Sequence, residues 1–77
     1  MKKILILGPG CANCNRLADL TERVARELGI EFELHKVTEI GQITAFGVMA
    51  TPGLAVDGEV LVSGRVPSEA ELKKLLG

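Results

Sequence analysis

Tryptophan and tyrosine are absent from this chain, and Phe32 and Phe46 are its only aromatic residues. Surfaces that stack unpaired bases need aromatic rings, so single-stranded nucleic acid is not an expected partner. Charge of one sign is missing as well: nine Lys and Arg oppose ten Asp and Glu, for a formal charge of −1. That balance lacks the basic footprint of a nucleic-acid binder. No apolar run approaches the ~20 residues that cross a bilayer, so no membrane partner is expected. Met1-Lys2-Lys3 ahead of Ile4 to Leu7 has the charge order of a secretory leader, but its apolar part is shorter than the roughly 7–15 residues such leaders carry. The expectation is a cytoplasmic protein. Cysteine is scarce too, with Cys11 and Cys14 alone. A bridge between them would close too small a loop to restrain the unfolded chain, so the pair is not a structural staple.

The chain has 77 residues, of which 47% are hydrophobic. That suffices for one small core, and a single domain over residues 1–77 is expected. Ile4 to Leu7 is a continuous apolar run, the pattern of a strand covered on both faces. Gly8-Pro9-Gly10 ends it. From Ala12 to Leu28 the apolar residues Leu17, Leu20, Val24 and Leu28 recur at helical spacing, with Gly29 as a stop. Ile30 to Val37 alternates: Ile30, Phe32 and Leu34 face one way, Glu31, Glu33 and His35 the other. This predicts a strand with one wet face at a sheet edge. His35, the one histidine, reads as an exposed strand residue, and a proton relay is its less favoured reading.

Thr38 is placed to cap a short helix from Glu39 to Phe46, with Ile40, Ile43 and Phe46 inward. Gly53 to Val56 is a second apolar strand, Asp57-Gly58 a hairpin turn, and Glu59 to Ser63 the returning strand. Ser68-Glu69-Ala70-Glu71 has the form of a capping box that opens a last helix, with Leu72, Leu75 and Leu76 inward. The predicted fold class is α/β, in the order β-α-β-α-β-β-α. It forms a four-stranded mixed sheet with helices on both faces.

The chemistry concentrates in Gly8-Pro9-Gly10-Cys11-Ala12-Asn13-Cys14. A strand that stops at Gly-Pro-Gly and restarts as a helix puts Cys11 at the helix N-terminus and Cys14 in its first turn. Residues three apart on a helix face the same way, with Cβ atoms about 5–6 Å apart, so a disulfide is within reach. Unpaired N–H groups and the positive end of the helix dipole favour a thiolate at Cys11. Asn13 and Arg16 read as solvated residues of the helix surface. Their less favoured reading places donors and positive charge near the sulfurs.

Thr51-Pro52, just before the third strand, joins the Cys-x-x-Cys and the element order in a pattern that resembles the thioredoxin fold. The stretch Phe46 to Gly58 looks like the corresponding part of small thioredoxin- or glutaredoxin-like redox proteins of prokaryotes. The resemblance implies a thiol–disulfide oxidoreductase that needs no cofactor and no metal. Cys11 would be the nucleophile and Cys14 the resolving thiol. Pro52 would be a cis-proline facing them, with the Thr51 backbone pairing with substrate. Gly10, Ala12 and Gly64 would line the substrate surface. The implied partners are protein disulfides and a flavoprotein disulfide reductase as electron donor, met by a monomer. The chain departs from thioredoxins in having Gly10 before the first cysteine and Ala12-Asn13 between the two. Its first strand also lacks a buried acid.

Two other readings stand beside this one. Small copper chaperones also place a Cys-x-x-Cys between a first strand and a helix, and thiolates hold soft metals. Their order is β-α-β-β-α-β, so a hairpin at Thr38 to Phe46 would favour that reading. A noncatalytic redox-sensing module is the third.

Overall fold

The computed structural model describes residues 1–77. Seven elements follow in the expected order: β1 (Lys2–Leu7), α1 (Ala12–Glu27), β2 (Phe32–Val37), α2 (Ile40–Ala45), β3 (Gly53–Val56), β4 (Glu59–Ser63) and α3 (Glu69–Leu76). They build a four-stranded mixed sheet in the order β2-β1-β3-β4. β1 runs parallel to β2, with Ile4 opposite Leu34 and Leu7 opposite Val37. It runs antiparallel to β3, with Ile4 opposite Val56 and Leu7 opposite Gly53.

The pleat explains why β1 is apolar at every position from Ile4 onward. Successive side chains point to opposite faces, and both faces are covered. Ile4 and Ile6 enter a core shared with Leu17, Val24, Leu54, Leu72 and Leu76, under α1 and α3. Leu7 enters a smaller core with Ile43, Val48 and Ala55, under α2, against which Leu5 also packs. β2 is an edge strand, and its Glu33 and His35 are exposed, as its alternation predicts; Lys36, on the side of Phe32 and Leu34, is exposed as well.

Asp57 and Gly58 both adopt positive φ, 52° and 86°, as the tight hairpin turn between β3 and β4 requires. The turn is tied back to β1: the Asp57 N–H donates to the Lys3 carbonyl at 2.9 Å, and the Lys3 N–H donates to Asp57 Oδ1 at 3.0 Å. A register shift between Leu54 and Ala55 lets Leu61 bulge out of β4.

Four local expectations are corrected. Thr38 caps nothing: α2 begins at Ile40, its N-cap is Glu39, and no side chain closes that end. Ile40 does not point inward and is 67% exposed. As the first residue of a helix of six, it lies beyond the reach of the sheet. The buried side of α1 is made by Cys14, Leu17, Ala18, Thr21, Val24 and Ala25. Leu28 lies outside it because the helix ends at Glu27 and Leu28 is its C-cap, while Leu17 and Val24 are buried and Leu20 packs against the same core, as the spacing predicts. The capping box at α3 is half formed. Ser68 Oγ accepts the Glu71 N–H at 3.2 Å, but the Glu71 carboxylate turns away and takes both guanidinium nitrogens of Arg65.

Candidate functional site

The parallel pairing of β1 with β2 and the antiparallel pairing of β1 with β3 bring three loops to one end of the sheet. The first is Gly8 to Cys11, which leaves β1. Gly10 takes φ 94°, open to glycine at little cost, and turns the chain into α1. The second is Ala50 to Pro52, which enters β3 beside it, because Leu7 pairs with Gly53. The Thr51–Pro52 peptide bond is cis, as the resemblance implies. The third is Gly64, whose N–H donates to the Pro52 carbonyl at 2.8 Å. A Cβ at Gly64 would stand 3.1 Å from the Ala50 Cβ, so glycine lets these two loops touch.

Cys11 is the N-cap of α1, and its sulfur performs the capping. The backbone N–H of Cys14 donates to Cys11 Sγ at 3.3 Å. A thiolate accepts such bonds better than a thiol, so donors at this end select the charged form. Both cysteines are free thiols, Cys11 exposed and Cys14 buried. Their acidities diverge accordingly. The Cys14 thiol, donating toward the Cys11 sulfur, holds Cys11 below the ordinary thiol range, and the N–H groups of Cys14 and Asn13 add to this. Burial pushes the Cys14 thiol up, and its bond to Cys11 pushes in the same direction. The geometry separates an exposed, acidic sulfur from a covered, neutral one.

Of the residues singled out in the sequence, Gly10, Cys11, Cys14, Thr51, Pro52 and Gly64 converge at this end of the sheet. Thr51 is exposed and Pro52 is buried. Ala12 stands to one side, lining a shallow cleft on the outer face of α1 with Asn15, Arg16 and Leu20. Asn13 and Arg16 are exposed. His35 lies on the edge strand, 3.9 Å from the Glu33 carboxylate.

Two features escape a reading of the sequence. One is an apolar cleft of about 370 Å³ beside the cysteine loop, bounded by Pro9, Ile40, Ile43, Thr44, Val48, Met49 and Thr51. Met49 is 98% exposed at its rim. An outward-facing Ile40 and a methionine in a loop carry no periodic signal. The other is Gly8, which in the sequence only ends a strand. In the fold it is buried against Cys14, and a dipeptide pattern cannot announce such a contact.

Comparison with known proteins agrees with this geometry. Residues 2–77 match the family model described as "Thioredoxin domain". The chain is 50% identical over 76 residues to a thioredoxin of Methanothermobacter thermautotrophicus, covering 99% of both chains. It is 38% identical over 76 residues to a thioredoxin of Methanocaldococcus jannaschii, covering 99% of this chain and 87% of that one. With its sheet order, its Cys-x-x-Cys at a helix N-terminus and these relatives, the chain belongs to the thioredoxin family of thiol–disulfide oxidoreductases.

Proposed function

We propose that the protein reduces disulfides of protein substrates through the Cys11/Cys14 dithiol, as a single thioredoxin-like domain of the cytoplasm. The observation that carries this reading is the asymmetry of the pair: an exposed sulfur of lowered pKa one helical turn from a buried sulfur of raised pKa. Thiol–disulfide exchange needs that division. The Cys11 thiolate bonds one substrate sulfur as the substrate S–S bond breaks, and the other substrate sulfur leaves as a thiolate and takes up a proton. Cys14, giving up its own proton, then bonds Cys11 Sγ. The mixed disulfide breaks and the second substrate sulfur leaves. Two electrons and two protons pass to the substrate, and a Cys11–Cys14 disulfide remains. A flavoprotein disulfide reductase restores the dithiol.

The substrate contacts fall on the loops around the sulfurs. Thr51 offers its backbone to an extended substrate as an added strand. Gly10, Ala12, Pro52 and Gly64 flank that strand. The helix at Ile40–Ala45, where a copper chaperone would need a hairpin, counts against the metal-carrier reading.

Trapping tests the proposal. Cys14→Ser, incubated with a disulfide protein such as insulin, accumulates a stable mixed disulfide through Cys11, while Cys11→Ser traps nothing. The parent protein turns insulin over with a reductase present. Trapping by Cys11→Ser instead, or no turnover by the parent, overturns the assignment.

A further inference from the structure

We propose that Gly8 is a positioning residue for the Cys14 thiol: the side chain it lacks leaves the space that the Cys14 sulfur occupies. The inference rests on reading Cys11 and Cys14 as an exchanging pair. Backbone conformation does not demand glycine here, since Gly8 is not among the residues with positive φ. Space does. A Cβ at position 8 would stand 2.2 Å from Cys14 Sγ, 3.2 Å from Cys14 Cβ and 3.7 Å from Thr51 Cβ. Carbon and sulfur do not approach to 2.2 Å without a bond, so something must yield.

Neither backbone is free to do so. Gly8 continues the β1–β2 ladder, its N–H donating to the Val37 carbonyl at 2.9 Å. Cys14 rides on α1, anchored by Leu17 and Ala18, which are 0% and 1% exposed. Close-packed interiors resist such shifts. The freedom left is rotation about the one side-chain torsion of Cys14. Its wells are staggered, so the sulfur changes well rather than adjusting slightly. In the present well the Cys14 sulfur fills the space beside Gly8, in the helix turn whose backbone N–H is bonded to Cys11 Sγ. A methyl group at position 8 therefore moves the Cys14 sulfur away from its present approach to Cys11, which keeps the Cys14 backbone N–H but loses the thiol that helps lower its pKa. The second exchange step, in which Cys14 attacks Cys11 Sγ, is affected directly, and the first only through the thiolate fraction of Cys11.

The test compares Gly8→Ala with the parent, using oxidised glutathione as the probe. Measured at a pH where Cys11 is fully thiolate, the first step, capture of one glutathione by Cys11, keeps its rate within about twofold. The second step, release of that glutathione by Cys14, slows about tenfold or more, as expected when reacting atoms are misplaced by an ångström. The equilibrium of the Cys11/Cys14 pair against glutathione shifts toward the dithiol, a readout that a purely structural role would not move. Urea midpoints then locate the cause. Gly8→Ala lowers the midpoint of the parent, and lowers that of a Cys14→Ala background by no more than about half as much, because the obstructing sulfur is gone.

If Gly8→Ala alone does not fold, recovery of folding in Gly8→Ala/Cys14→Ala supports the same conclusion. A folded Gly8→Ala with unchanged release rate and equilibrium overturns the proposal, as does an equal midpoint loss in both backgrounds. A parent protein that exchanges with no disulfide overturns the pair reading itself, and with it the role of Gly8, whether or not the midpoints couple.

Discussion

At the scale of single residues, the two sulfurs differ in environment and only slightly in sequence. Each sulfur is two bonds from its Cα at one helix end, yet one is exposed and accepts N–H donors while the other is covered. The thiolate is the alkylated form. A lowered pKa therefore means that Cys11 reacts with iodoacetamide at pH values below the ordinary thiol range, and a raised one means that Cys14 reacts only above it. Mass spectrometry of the reduced protein across a pH series should show Cys11 labelled first at every pH. Superimposed labelling curves would contradict the structure. Thr21 is the other residue whose environment is unusual. It is fully buried on α1, and its Oγ1 has no hydrogen-bond partner. Such a hydroxyl has lost its water without compensation. Thr21→Val keeps the shape and removes the polar atom, and should raise the unfolding free energy by about 1 kcal/mol, read from the urea midpoint.

At the scale of elements, α3 lets two local devices be compared. Ser68 caps the helix with a hydrogen bond to the Glu71 N–H, and Arg65 grips the Glu71 carboxylate. The ion pair is the shorter contact, but both partners are solvent-exposed, and water screens such pairs to little net stabilisation. The cap satisfies a helix-end donor that has no other partner and contributes about 1 kcal/mol. Ser68→Ala should therefore destabilise the protein more than Glu71→Gln does, despite the pull that Arg65 exerts on the Glu71 carboxyl. The short helix α2 makes a different contribution. Beginning at Ile40, it leaves that residue outward, with Met49 as one wall of the apolar cleft beside the cysteine loop. Met49→Asp places a charge on that wall and should lower kcat/KM for insulin several-fold while leaving exchange with glutathione, too small to span the cleft, nearly unchanged. Equal losses on both substrates would remove the cleft from substrate binding.

At the scale of the whole molecule, β1 is the axis on which both cores and the site depend. Ile4 is fully buried, with α1 and α3 above it, whereas Leu34 on edge strand β2 is half-buried. Ile4→Ala should cost about 2–5 kcal/mol, the range for buried aliphatic residues, and Leu34→Ala less, because an edge site can collapse or rehydrate. Function at this scale is an electron balance. A potential for Cys11/Cys14 near about −270 mV against glutathione marks a reductant, and one near about −120 mV an oxidant. The proposed reduction of protein disulfides predicts the former.

Much of this architecture was written locally. Ile4 to Leu7 had to be an inner strand because no one-faced strand is apolar at four successive positions. The alternation of Ile30 to Val37 had to be a strand with one wet face, and Asp57-Gly58 had to be a turn, because these are properties of a strand's pleat and of allowed φ. Cys11 and Cys14 were legible because their spacing and the preceding Gly-Pro-Gly describe one helix end. Thr51 and Pro52 were legible only through family resemblance, since the two cysteines lie far from them along the chain. The reach of α2 and the turning of Glu71 toward Arg65 were not legible, because each is settled by which neighbour arrives. Gly8 is the clearest case. Its sequence context says only that a strand ends, and β1, α1 and the Thr51 loop must all be in place before the space it leaves is seen to hold the Cys14 sulfur. The sequence by itself determined the elements and the cysteine pair, because backbone periodicity and helix-end chemistry act over a few residues. The tertiary structure alone decided which sulfur is covered and what surrounds it, because burial is a relation between segments that the chain order keeps apart.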